Sequence, residues 1–223
     1  MKDILRVSGL VKMYKSTRAV NAAQLTVRSG EIAAVLGAAG SGKSTLMRLI
    51  CGLERADEGN IMLSERELTS LPDEEFSKIR QRSIGVIQAD AGLMSGMTLA
   101  ENAAVPLAAA GVSYVKRIKR SLELFRAMQL NQFAGMYPEA AGEFHKSAAA
   151  YIRAIIASPE LLIADDCTKN LNKKEETAMM RSLKAAVKTS DCGLLLLTDD
   201  PALSACADRV YSMRYGKIQE VVK

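Results

Sequence analysis

Glu31–Thr45, EIAAVLGAAGSGKST, constrains this chain more than any other stretch. A short apolar run, Ile32–Leu36, leads into Gly37-Ala-Ala-Gly-Ser-Gly-Lys43-Ser44-Thr45, and LMRLICG follows with helical spacing. Strand, glycine-rich loop and helix in that order form a setting that cradles phosphate. Gly37, Gly40 and Gly42, with Ser41 among them, let the backbone curl until its N–H groups face an anion. The positive end of the helix that begins near Ser44 adds to the attraction. Lys43 is placed to reach the β- and γ-phosphates, and the Ser44 hydroxyl, with Thr45 beside it, to ligate Mg²⁺. The expectation is an α/β chain that binds a nucleoside triphosphate.

Composition narrows the rest. With 223 residues, 48% hydrophobic and 25% charged, the chain can bury a full core as one domain with a subdomain. Its formal charge is +5, yet Lys and Arg are scattered among Asp and Glu, and only Lys116–Arg120 forms a basic cluster. With aromatics at 4%, a base-stacking platform is absent and no nucleic-acid partner is expected. The cluster reads as a solvated helix face. Cys51, Cys167, Cys192 and Cys206 lack metal-site spacing, which implies reduced, mostly buried thiols in a cytosolic protein. MKDILRVSGL alternates like a strand rather than a signal peptide, and Leu194–Leu197 is too short to span a bilayer, so any membrane role must come through a partner.

Along the chain, Ile4–Tyr14 and Gln24–Val27 are predicted strands joined by a polar turn at Lys15–Arg18. Gly52 ends the helix after the loop, Asn60–Leu63 is a strand, and Pro72–Arg82 a helix with acids in its first turn. Ile84–Ile87 is a strand, after which Ala89–Ala150 turns alanine-, methionine- and leucine-rich. There Val115, Ile118, Leu122, Phe125 and Met128 make a helical stripe, expected in the core. Leu161–Ala164 is a buried strand, and Asn172 with Glu175 a capping box for a helix through Val187. Leu194–Leu197, Arg209–Met213 and, after Gly216, Lys217–Val222 complete the strands. Such alternation predicts a parallel sheet wrapped by helices.

The order of these motifs resembles an ATP-binding-cassette (ABC) transporter ATPase over essentially the whole chain, and within that family the MacB/LolD-like group of lipoprotein-release and macrolide exporters. Tyr14 lies where the family stacks an aromatic on adenine. Gly37–Thr45 matches its Walker A motif. Ile84–Gln88 resembles the run ending in the Q-loop glutamine, which contacts Mg²⁺ and the permease. Met97–Asn102, continuing to Pro106-Leu107, is similar to the LTALENVALPL stretch of that group. Leu161–Asp165 resembles Walker B, with Asp165 as the Mg²⁺-linked carboxylate. The resemblance implies a P-loop NTPase (RecA-like) core, an antiparallel β subdomain and an inserted helical subdomain. The expected division is a single domain over 1–223, with 1–88 and 151–223 as core plus β subdomain and 89–150 helical. It also implies MgATP as ligand, a second nucleotide-binding subunit and a transmembrane permease as partners, and a place at the cytoplasmic face of the membrane.

Several family positions are altered. Counted without gaps from Tyr137-Pro138, the LSGGQ signature falls on Ala141-Gly142-Glu143-Phe144-His145, and none matches. In the family this segment grips the γ-phosphate held by the partner subunit. A negative Glu143 about 4 Å from that phosphate costs roughly 4 kcal/mol at an effective dielectric near 20, and Phe144 puts a ring where glycine permits close approach. The catalytic glutamate position holds Asp166, a candidate weak base set one methylene back. The D-loop aspartate is Asn172. Asp199 replaces the switch histidine, and the one histidine, His145, lies elsewhere. An ionised carboxylate only accepts hydrogen bonds. The resemblance therefore implies a subunit that binds MgATP and hydrolyses it slowly or not at all. An active ATPase using Asp166 is the second reading, and a soluble regulator without a permease the third.

Overall fold

The computed structural model describes residues 2–221. Its centre is a six-stranded sheet of β3 (Ile32–Leu36), β6 (Ile84–Gln88), β7 (Leu161–Asp165), β8 (Gly193–Thr198), β9 (Arg209–Arg214) and β10 (Lys217–Val221), in the order β10-β9-β3-β8-β7-β6. All neighbours run parallel except the β9–β10 hairpin. β7 and β8 are buried at every residue, which explains their uninterrupted apolar sequences: a parallel sheet is covered on both faces. The pleat sorts the side chains. Ala34, Leu162, Ala164, Leu194 and Leu196 join one core cluster, and Ala33, Val35, Leu161, Ile163, Leu195 and Leu197 the other.

The second cluster is closed by α1 (Lys43–Ile50), α2 (Asp73–Ser83) and an antiparallel sheet. That sheet comprises β1 (Asp3–Tyr14), β2 (Thr17–Arg28), β4 (Glu58–Leu63) and β5 (Arg66–Glu67), in the order β2-β1-β4-β5. The first cluster is closed by α3 (Leu99–Ala103), α5 (Tyr114–Ala127), α6 (Glu143–Ile155) and α7 (Lys173–Ser190). The short helices α4 (Val105–Ala109) and α8 (Pro201–Ser204) complete the chain.

Two expectations need correction. β2 begins at Thr17, well before Gln24, and the turn ahead of it is confined to Lys15-Ser16. Its polar residues sit on a strand whose pairing with β1 is irregular, so alternation alone does not reveal it. The α5 stripe is only partly core: Phe125 is fully buried, but Val115 is 76% and Leu122 39% exposed. The buried face is turned toward Ser121, whose hydroxyl donates to the Ala100 carbonyl at 2.8 Å, so a satisfied polar group sits where the stripe has none. Position 150, where the expected helical segment closes, falls within α6. The last strand is described to Val221, and Val222 lies outside the described residues. Asn172 caps α7 as expected, accepting from Lys174 and Glu175 N–H at 3.1 Å.

Candidate nucleotide site

Four strand ends, those of β3, β6, β7 and β8, and the start of α1 converge at the site. β3 delivers the chain to Gly37, whose N–H donates to the Thr198 carbonyl at 3.0 Å, fixing the loop against the end of β8. Ser41 N–H turns back to Ala38 O at 3.1 Å, and Gly40 and Gly42 take φ of +77° and +112°. A side chain at Gly42 would run into the Ala19 carbonyl oxygen, so glycine is required both by dihedral and by space. In α1 the first intrahelical bond is Leu46 N–H to Gly42 O at 2.9 Å; the amides ahead of it point out of the helix start, as at any N-terminus. No acid occupies the first turn of α1. Lys43 is buried and folds back over the loop, with Nζ 2.5 Å from Gly37 O and 3.3 Å from Ala38 O. A phosphate in the loop would offer that ammonium a charged acceptor in place of two carbonyls, which is a stronger bond.

Strand register sets the carboxylates. Gln88 pairs with Asp165, and Asp165 with Leu197, so the ends of β6, β7 and β8 line up beside the loop. Asp165 is buried; burial pushes its carboxyl above the usual range, and a hydrogen bond from the Ser44 side chain opposes that. Its Oδ1 is buried without a hydrogen-bond partner among the described residues. A buried carboxylate oxygen left over beside a serine hydroxyl fits a hard cation or its water. Ser44, Asp165 and, on the exposed side, Gln88 are the oxygen-bearing side chains that could hold such a cation. Tyr14 closes β1, 42% exposed, and its hydroxyl donates to Glu54. That bond, foremost, raises the phenol above its ordinary value, with the Thr45 side chain acting in the opposite sense.

Asp166 follows with φ +47°, in the left-handed region that Asp tolerates better than most residues, and its N–H donates to Leu197 O at 2.9 Å. One cleft is lined by Asp166, Asn172, Thr198 and Asp199, with Lys169 and Lys173 on its rim. Three of the altered family positions, Asp166, Asn172 and Asp199, thus line one cleft. Asp200 lines the same cleft, where it caps α8 through Ala202 N–H at 2.7 Å and lies 3.5 Å from Lys173 Nζ.

The fourth altered segment opens α6. Gly142 is the N-cap, Glu143 is exposed and pairs with Lys146 at 2.9 Å, and Phe144 packs against the helical core cluster. His145 stacks on Phe133 with ring centroids 3.9 Å apart. The expected steric obstruction by Phe144 is therefore smaller than its size implies, because the ring packs toward the core. The group presented outward is Glu143. Two residues escaped sequence reading: Arg153 donates to Ala91 O at 2.6 Å and Gly92 O at 2.9 Å, and Asn170 to Ala89 O at 3.1 Å. They hold the segment just after Gln88, and neither carries a motif signal.

A family model described as ABC transporter matches residues 20–169. A methionine import ATP-binding protein MetN of Rhizobium johnstonii is 34% identical over 98% of this chain and 60% of its own length. A second, from Brucella abortus, is 35% identical over 99% of this chain and 58% of its own. The chain thus spans about 60% of the length of these curated relatives. Among solved structures, the dimeric post-hydrolysis state of the ATP-binding cassette MJ0796 bound to ADP and Pi superposes with a TM-score of 0.90 at 25% identity, over 98% of this chain and 99% of that one.

Proposed function

This chain belongs to the ABC transporter family, and from that premise we propose that it is an ATP-binding subunit that couples MgATP to a membrane permease with weak or absent hydrolysis. The observation that carries MgATP binding is the unpartnered, buried Asp165 Oδ1 beside Ser44, at the mouth of a loop whose amides and lysine await an anion. Lys43 and the loop N–H groups hold the phosphates. Ser44, Asp165 and Gln88 would hold Mg²⁺, which would neutralise phosphate charge. Tyr14 supports the base. Asp166 stands in the position of the base, and Asp199 faces the same cleft with an acceptor rather than a donor. Glu143 brings a negative charge to the surface that would close over a second subunit's nucleotide. The permease places the chain at the inner face of the membrane; among the described residues no helix is long and apolar enough to cross one.

The exporter grouping suggested by residues 97–107 finds no support in the relatives compared, which are named for methionine import. The reading accordingly stops at the transporter subunit and leaves cargo and direction to the permease. Those relatives favour a second reading, an active ATPase with Asp166 as base. Phosphate release by the co-purified complex at saturating MgATP, beside the same complex carrying Lys43→Ala, separates the two. Equal, negligible rates support the weak-hydrolysis reading, and a clear Lys43-dependent rate overturns it. Combining Glu143→Gly, Phe144→Gly and Asp199→His is expected to raise turnover; no increase would remove the account of the defect.

A further inference from the structure

The last three residues of β1 are gripped by one short loop. Lys12 Nζ donates to Arg55 O at 2.8 Å and to Asp57 Oδ1 at 3.1 Å, and Met13 N–H to Asp57 Oδ2 at 2.6 Å. Tyr14 donates its hydroxyl to Glu54 Oε2. Glu54 Oε1 in turn accepts from Arg48 Nη1 at 3.3 Å, and Arg48 is on α1, the helix that begins at Lys43. The loop itself is bound to that helix through Leu53 N–H to Arg48 O at 2.8 Å. The Lys12 ammonium lies 5.9 Å from the Tyr14 ring centroid, within cation–π range. The ring is thus held at its hydroxyl by Glu54 and approached by Lys12, while remaining 42% exposed.

We propose that Glu54, braced by Arg48, is the positioning residue that sets the Tyr14 ring as the platform for the nucleotide base and ties it to the phosphate-binding helix. This rests on the reading of the site as one for MgATP. A phenol ring on a strand end would otherwise turn freely about its side-chain bonds, and a base would have to order it on binding. With the hydroxyl tied to a carboxylate that is itself anchored on α1, base and phosphate subsites are fixed relative to each other before the ligand arrives. Glu54 acts through Tyr14 and touches no phosphate in this scheme.

The test is a titration of the full chain with MgATP and, separately, with Mg-tripolyphosphate, which has phosphates and no base. Glu54→Ala and Tyr14→Phe are each expected to weaken MgATP by roughly three- to tenfold, a fraction of a full stacking interaction, and to leave tripolyphosphate unchanged. Glu54→Gln, which still accepts from the phenol, is expected to recover most of the loss. Equal weakening of both ligands by Glu54→Ala would assign Glu54 to the general support of α1 and overturn the proposal, as would no change in either. Wild-type chain that binds tripolyphosphate as tightly as MgATP would overturn it too, since no base is then read. Failure of the wild-type chain to bind either ligand would instead bring down the nucleotide-site reading on which it rests.

Discussion

Helices α1 and α6 both start at a glycine N-cap, and the two starts are built in opposite ways. At α1, Gly42 takes φ +112°, the first turn holds no acid, and the one charged side chain is a buried lysine folded over the loop. At α6, Gly142 takes an ordinary φ of −69°, Glu143 sits in the first turn, and Lys146 pairs with it at 2.9 Å. Both helix starts carry the same positive end of a dipole. The difference is that α1 leaves its amides and a cation to an external anion, whereas α6 supplies an anion of its own. Helix direction alone does not make a phosphate site; the charge balance of the first turn decides it.

The comparison breaks most visibly at the two glycines. Gly42→Ala forces a left-handed residue, which costs about 1–2 kcal/mol, and drives a methyl group into the Ala19 carbonyl and within 2.8 Å of Met213 Cε. Backbone must shift to relieve this, so a total loss above about 3 kcal/mol is expected, read as a fall in thermal midpoint together with loss of nucleotide binding. A variant that melts like wild type would mean that the loop is not held as tightly as its contacts indicate. Next in size, Lys43→Ala removes a charge-assisted bond worth about 1.5–3 kcal/mol, so MgATP affinity should fall by roughly 10- to 100-fold while the chain stays folded. Calorimetric titration measures it. An unchanged affinity would place the anion somewhere other than the cradle of α1.

These contrasts were unevenly legible in sequence. The phosphate loop was readable because the chemistry demands glycine, lysine and serine at fixed spacing, and the apolar strands because burial on both faces leaves no room for polar residues. The gathering of Asp166, Asn172 and Asp199 into one cleft was legible only through family resemblance; nothing in their spacing says that β7 and β8 end side by side. Rotation of α5 was misjudged since Ser121 hides its polarity in a bond to Ala100 O, a contact 21 residues away in sequence. Arg153, donating to two carbonyls beside Gln88, reads in an alanine-rich helix as a solvated charge. In both of these cases a long-range hydrogen bond lets a polar group pack inward, and local pattern carries no trace of one.

The smallest effect is the sharpest control. A methyl group added at Gly142 meets only His145 Nδ1, at 3.6 Å, which is ordinary contact, and the dihedral there suits any residue. Alanine is a poorer N-cap than glycine by some tenths of a kcal/mol to about 1. It also restricts the unfolded chain, which returns about 0.4–1 kcal/mol. These terms oppose each other, so Gly142→Ala should move stability by no more than about 0.5 kcal/mol in either direction, against the loss above about 3 kcal/mol expected at Gly42. Chemical denaturation of the two variants side by side measures the gap. If both glycines proved equally intolerant, the start of α6 would be as constrained as the phosphate loop, and the contrast between a helix end kept open for an anion and one that supplies its own would fail.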